Sequence, residues 1–161
     1  MKYPDNIEKL ILKLPLFSGF HAPDTEFYEA SKTLARKEVE SLFSGSRADS
    51  KEIRPFGELV FPYHRMGAVD SLNLFDFDEL IIFSFYWANR NRYKRVVDIG
   101  ANIGLHSIIL DKCGFEVKAY EPDPEHFRLL EKNLELNQCL RVKPFNAAVS
   151  SKKGDFEFIR V

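Results

Sequence analysis

The nine residues Val96-Val97-Asp98-Ile99-Gly100-Ala101-Asn102-Ile103-Gly104 constrain this chain more than any other stretch. Arg95 to Ile99 is a β-branched, apolar run of the kind that forms a buried strand, and Leu105 to Cys113 carries apolar residues at helical spacing. The join is a strand-to-helix turn. Gly100 permits the positive φ that ends the strand, and Gly104 removes a side chain where a ligand could approach the first turn of the helix. Phe115 to Tyr120 then reads as a second strand ending on Glu121, about 20 residues beyond the first glycine, the distance across one βαβ unit. An acid at the carboxyl end of the neighbouring strand can accept both hydroxyls of a ribose. Asp123-Pro124 supplies a cap and a first residue for a second helix, with Phe127, Leu130 and Leu134 as its apolar stripe up to Asn137. Arg141 to Phe145, with Ala147 to Val149, reads as a third parallel strand and its exit, which puts Asn146 at the same end of the sheet. The predicted class is α/β and Rossmann-like.

Two kinds of nucleotide cofactor compete for such a turn. A dinucleotide fingerprint requires G-x-G-x-x-G, and Asn102 and Leu105 stand where its second and third glycines belong. A phosphate loop requires Gly-Lys-Ser/Thr, which does not follow. Asp98 decides between the remaining chemistries, because its carboxylate beside a helix N-terminus would repel a pyrophosphate and attract a cation. S-adenosylmethionine offers an ammonium and a sulfonium to that carboxylate, and its own carboxylate to the helix amides. The turn therefore favours S-adenosylmethionine.

Three separated motifs, Asp98-Ile-Gly-Ala-Asn-Ile-Gly-Leu-His106, then Tyr120-Glu-Pro-Asp-Pro124 with Phe127, Leu130 and Asn133, then Asn146-Ala-Ala-Val-Ser150, occur in order at βαβαβ spacing. Together they resemble the FkbM-type S-adenosylmethionine-dependent methyltransferases. The resemblance covers about the last 70 residues. It implies that Asp98, Gly100, Ala101, Asn102 and Gly104 surround the methionine part of the cofactor. It further implies that Glu121 holds the ribose, Pro122 and Asp123 flank the adenine, and Asn146 and Ala147 line its other side. The reaction it implies is methylation of a hydroxyl on a sugar, glycolipid or other small molecule. The Rossmann-like class I methyltransferase fold of such proteins has a seven-stranded sheet, of which this sequence supplies three recognisable strands before Asp155 to Val161, an alternating stretch that reads as a further strand. The expectation is a fold incomplete at the C-terminus, with a sheet edge through which a second copy could associate. His106, two residues past Gly104, is the weak candidate for a base, and no other catalytic residue is indicated. The alternative is a non-catalytic cofactor-binding or interaction fragment that lacks the catalytic half. A nicotinamide dehydrogenase ranks third.

Residues 1–75 read as an extension of helices and a hairpin, and residues 76–161 as the first half of the cofactor-binding domain. Ile7, Leu10, Ile11 and Leu14 lie at helical spacing before Pro15, and Asp24 opens a longer helix with Phe27, Ala30, Leu34 and Leu42 on one stripe. Glu52 to Asp70 alternates like a hairpin or an irregular strand pair, with Tyr63, His64 and Arg65 at its tip as candidates to face a substrate. Asp76 or Asp78 caps a helix running to Arg92. A net charge of -1 offers no bulk attraction for nucleic acid, no stretch is long enough to span a bilayer, and the scattered histidines indicate no metal cluster. The two cysteines form no Cys-x-x-Cys pair, so reduced thiols in a cytoplasmic protein are expected.

Overall fold

The computed structural model describes residues 5–43, 51–62, 65–66, 69–70, 73–152 and 154. Tyr63, His64 and the stretch 155–161 lie outside these residues, as does the side chain of Arg65, so the substrate-facing tip and the last strand of the sequence reading fall outside the described structure. Contacts divide the chain into two compact units, Met1–Asn91 and Arg92–Val161.

In the first unit, α1 (Asp5–Lys13) buries Ile7 and Ile11 and ends where Pro15 enters a 3-10 segment, Leu14–Phe20. The longer helix α2 (Glu26–Phe43) is capped by the Thr25 hydroxyl, which accepts from the Tyr28 amide at 3.2 Å, rather than opening at Asp24. Its buried stripe is Tyr28, Ser31, Ala35 and Val39, one residue round from the expected Phe27, Ala30 and Leu34, of which Ala30 and Leu34 are exposed. The cause is a partner helix. Tyr28 donates its hydroxyl to Asp78 Oδ1 at 2.9 Å and meets the Phe77 ring edge-on, and this anchor fixes the rotation of α2. The hairpin region resolves into two antiparallel pairs, β1 (Lys51–Ile53) with β2 (Gly57–Leu59) and β3 (Arg65–Met66) with β4 (Val69–Asp70). Helix α3 (Phe77–Asn89) starts on Asp76, whose carboxylate accepts the Phe77 amide, and contributes Phe83 and Trp87 to an edge-to-face cluster with Phe56 and Phe75.

The second unit is a Rossmann-like α/β layer pair. Strands β5 (Arg95–Ile99), β6 (Glu116–Tyr120) and β7 (Val142–Phe145) form a parallel sheet in the order β5-β6-β7, joined through α4 (Leu105–Lys112) and α5 (Pro124–Leu136). These are two consecutive βαβ units, and each connection returns the chain so that successive strands end at one edge of the layer. Ala147 to Val149 continue from β7 without strand pairing. Within this unit and among the described residues, helices cover one face of the sheet. Val117 and Ala119 of β6 are buried beneath the helices, whereas Val97 and Ile99 of β5 are 55% and 63% exposed. The sequence reading of β5 as a fully buried strand is thus corrected. Its apolar residues alternate sides, and α4 and α5, the helices described in this unit, cover the same side. No helix among the described residues is long and apolar enough to cross a membrane.

Candidate cofactor site

The carboxyl ends of the three parallel strands bring the predicted residues together. Gly100, Asn102 and Gly104 all take left-handed backbone, with φ of 76°, 50° and 90°. Asparagine reaches this region more readily than most side chains, so Asn102 fits between the two glycines. The resulting turn folds back across the end of β6, where the amides of Gly100 and Ala101 both donate to Tyr120 O, at 2.9 and 3.0 Å. Gly104 N then donates to Ala101 O at 2.9 Å and closes the turn into α4.

The two glycines do different work. A Cβ on Gly100 would meet open space, so its requirement is conformational. A Cβ on Gly104 would lie 3.2 Å from Leu130 Cγ and 3.5 Å from Leu130 Cα. The space left by the missing side chain at Gly104 is taken up by Leu130 of α5.

Glu121 stands at the centre of the arrangement and is 5% exposed. Its Oε2 accepts the Asn102 amide at 2.7 Å and its Oε1 accepts the Asp123 amide at 2.9 Å, so one carboxylate joins the turn after β5 to the turn after β6. Charge-assisted bonds of this kind are the strong ones. The Asn146 amide nitrogen donates to Glu121 O at 2.8 Å and to Pro122 O at 3.1 Å, which brings in the end of β7. Asp123, also buried, accepts the Glu125 amide at 2.9 Å as the N-cap of α5, and its second oxygen lies 3.8 Å from His126 Nδ1. Ala101 is buried, Pro122 half-buried, and Ala147 exposed with its amide on Phe145 O.

Asp98 is half-buried and its Oδ2 accepts the Ser107 hydroxyl at 2.6 Å. His106 lies in the first turn of α4, half-buried. Two residues that hold the site were not singled out for that role from sequence, Ser107 and Asn133, both with no exposure. Asn133 carried a usable signal, since it is a polar residue on the buried stripe between Leu130 and Leu134. Ser107 carried none, because its partner is nine residues away on another element. Away from the strand ends, Asp111 accepts the Arg141 amide at 3.0 Å, and burial, followed by the nearby Asp111, pushes the Cys139 thiol up to about 12.

The fit to a nucleoside can be tested on acceptors. A carboxylate offers about four lone-pair positions, and the two bonds on Glu121 leave capacity for the two hydroxyls of a ribose. Asn102 Oδ1 is buried with no hydrogen-bond partner among the described residues, a further acceptor at the same turn. Among the described residues no cluster of His, Cys, Asp and Glu is suited to a metal ion.

No protein-family model matches the chain. No curated protein matches it in sequence. Solved structures do. One is an SAM-dependent methyltransferase from Agrobacterium tumefaciens, with 10% identity and a TM-score of 0.47 over 65% of this chain and 34% of that one. Another is coclaurine N-methyltransferase bound to N-methylheliamine and SAH, with 14% identity and a TM-score of 0.40 over 90% of this chain and 44% of that one. A third is the N-terminal domain of human METTL16 in complex with SAH, with 17% identity and a TM-score of 0.40 over 93% and 57%. The chain thus spans between 34% and 57% of the length of these three proteins.

Proposed function

We propose that residues 92–161 form the S-adenosylmethionine-binding part of a methyltransferase that resembles the FkbM type. The observation that carries this reading is the Glu121 carboxylate, buried at the end of β6, fixed by two backbone amides and retaining acceptor capacity beside the glycine turn. Glu121 would hold the ribose hydroxyls, and Asp98, oriented by Ser107, would hold the ammonium of the methionine part. Gly100, Ala101, Asn102 and Gly104 would form the wall around that part. Pro122 and Asp123 would flank the adenine, with Asn146 and Ala147 opposite. Asp123 would do so while its Oδ1 caps α5.

S-adenosylmethionine supplies an electrophilic methyl group when bound. The chain's part is alignment of the acceptor, exclusion of water and removal of one proton. The acceptor in this reading is a hydroxyl of a sugar, glycolipid or other small molecule, and His106 is the candidate for taking its proton. A cytoplasmic location accords with this chemistry and with reduced thiols.

A second reading has its own support. The exposed Val97 and Ile99 favour a unit whose open face is meant for a partner, as in a non-catalytic cofactor-binding or interaction module. Calorimetric titration with S-adenosylmethionine and S-adenosylhomocysteine tests the first reading. Saturable binding that Glu121→Ala weakens by about 2 kcal/mol, the scale of a charge-assisted hydrogen bond, is expected. A folded wild-type chain that binds neither, or that binds a nicotinamide dinucleotide in preference, overturns it.

A further inference from the structure

We propose that Asn133 is a positioning residue for the cofactor turn, holding the Glu121 carboxylate in place through two intervening peptide groups. The inference rests on the reading of that turn as the S-adenosylmethionine site.

Three bonds in series carry it. Asn133 Nδ2 on α5 donates to Ile103 O at 2.8 Å. The same peptide group presents Gly104 N to Ala101 O at 2.9 Å, and the peptide group headed by Ala101 O presents Asn102 N to Glu121 Oε2 at 2.7 Å. Each peptide is planar, so fixing its carbonyl also fixes the direction of its N–H. Asn133 therefore sets the Gly104 amide, which sets the Ala101 carbonyl, which sets the Asn102 amide on the carboxylate. The turn needs such support because Asn102 and Gly104, on either side of Ile103, are both left-handed, and rotation of the Ile103–Gly104 peptide would withdraw the Gly104 amide from Ala101 O and so release the Ala101–Asn102 peptide, whose N–H binds Glu121. Helix α5 holds the turn at a second point one helical turn earlier, where Leu130 packs against Gly104.

Stability alone is a poor reason for this side chain. Asn133 has no exposure, yet its Oδ1 is buried without a hydrogen-bond partner among the described residues. A half-satisfied buried amide is costly, and an apolar residue of similar volume on the same stripe would remove that cost while leaving Ile103 O without its donor. The two changes oppose each other. Asn133→Leu is accordingly expected to alter global stability little while releasing the turn.

The experiment is titration of wild type, Asn133→Leu and Asn133→Ser with S-adenosylhomocysteine, combined with thermal unfolding and amide hydrogen exchange at Asn102 and Gly104. The serine variant keeps a small polar group and covers the case in which the leucine variant does not fold. A Kd raised about tenfold or more, with faster exchange at those two amides in a chain that stays folded, supports the proposal. Unchanged affinity and unchanged exchange in folded variants overturn it while leaving the site reading intact. A folded wild type that does not bind S-adenosylhomocysteine overturns the site reading instead, and the exchange measurement still decides whether Asn133 orders the turn.

Discussion

The Ser107 hydroxyl donates to one oxygen of Asp98, so a residue with no exposure orients a half-buried carboxylate on β5. Ser107→Ala removes a hydrogen bond to a charged acceptor. Urea denaturation should register a loss of about 1 to 3 kcal/mol, and the same variant should bind S-adenosylhomocysteine more weakly than wild type by calorimetry. Full affinity in Ser107→Ala would count against the proposed role of an oriented Asp98 in holding the cofactor. At a second residue the prediction is one of pH. Burial raises the Cys139 thiol from 9.0 to about 12 in the folded chain, so between these values the folded state keeps a proton that the unfolded state releases. Its contribution is therefore complete below pH 9.0 and declines as pH rises toward about 12. Tyr28 acts in the same sense, because its hydrogen bond to Asp78, with burial, raises its hydroxyl above 10.0. Unfolding free energies measured on both sides of this alkaline window should fall less in Cys139→Ser than in wild type.

Among the elements, the turn between β5 and α4 separates the two roles of glycine. Gly100→Ala introduces a left-handed alanine into open space, a strain of about 1 to 2 kcal/mol. Gly104→Ala adds to similar strain a Cβ 3.2 Å from Leu130 Cγ, and overpacking costs about 1 to 3 kcal/mol more. Denaturation should rank Gly104→Ala as the worse of the two, and Leu130→Ala should cost less in the Gly104→Ala background than in wild type. An equal loss for both glycines would show that α5 yields to the added methyl. This turn, Glu121 and the Asp123-Pro124 start of α5 were legible in the sequence because each depends on residues adjacent in the chain. The face of α2 was not. Phe27 and Leu34 are more apolar than Ser31 and Ala35, and only the long-range pairing of Tyr28 with Asp78 and Phe77 turns the smaller residues inward. Ser107 escaped for the same reason, since its role is set by a partner on another element.

At the scale of the whole molecule the unresolved demand is the second face of the sheet. Parallel sheets are normally covered on both faces, and local pattern alone suggested as much for β5. The exposure of Val97 and Ile99 arises from where the two crossover helices land, which hydrophobic runs do not encode. Covering them in solution could fall to a second copy, and the net charge of -1 opposes such association only weakly. Among the described residues β5 and β7 are the edge strands of the sheet as well. Sedimentation velocity should then show mass rising with protein concentration, and Ile99→Lys should suppress that rise. Because Ile99 is 63% exposed, the same substitution should change the monomer's stability by no more than about 0.5 kcal/mol. A chain that sediments as a monomer at every concentration would remove self-association as the cover for this face. Suppression of assembly together with a large loss of stability would place Ile99 inside a packed core, contrary to its exposure here.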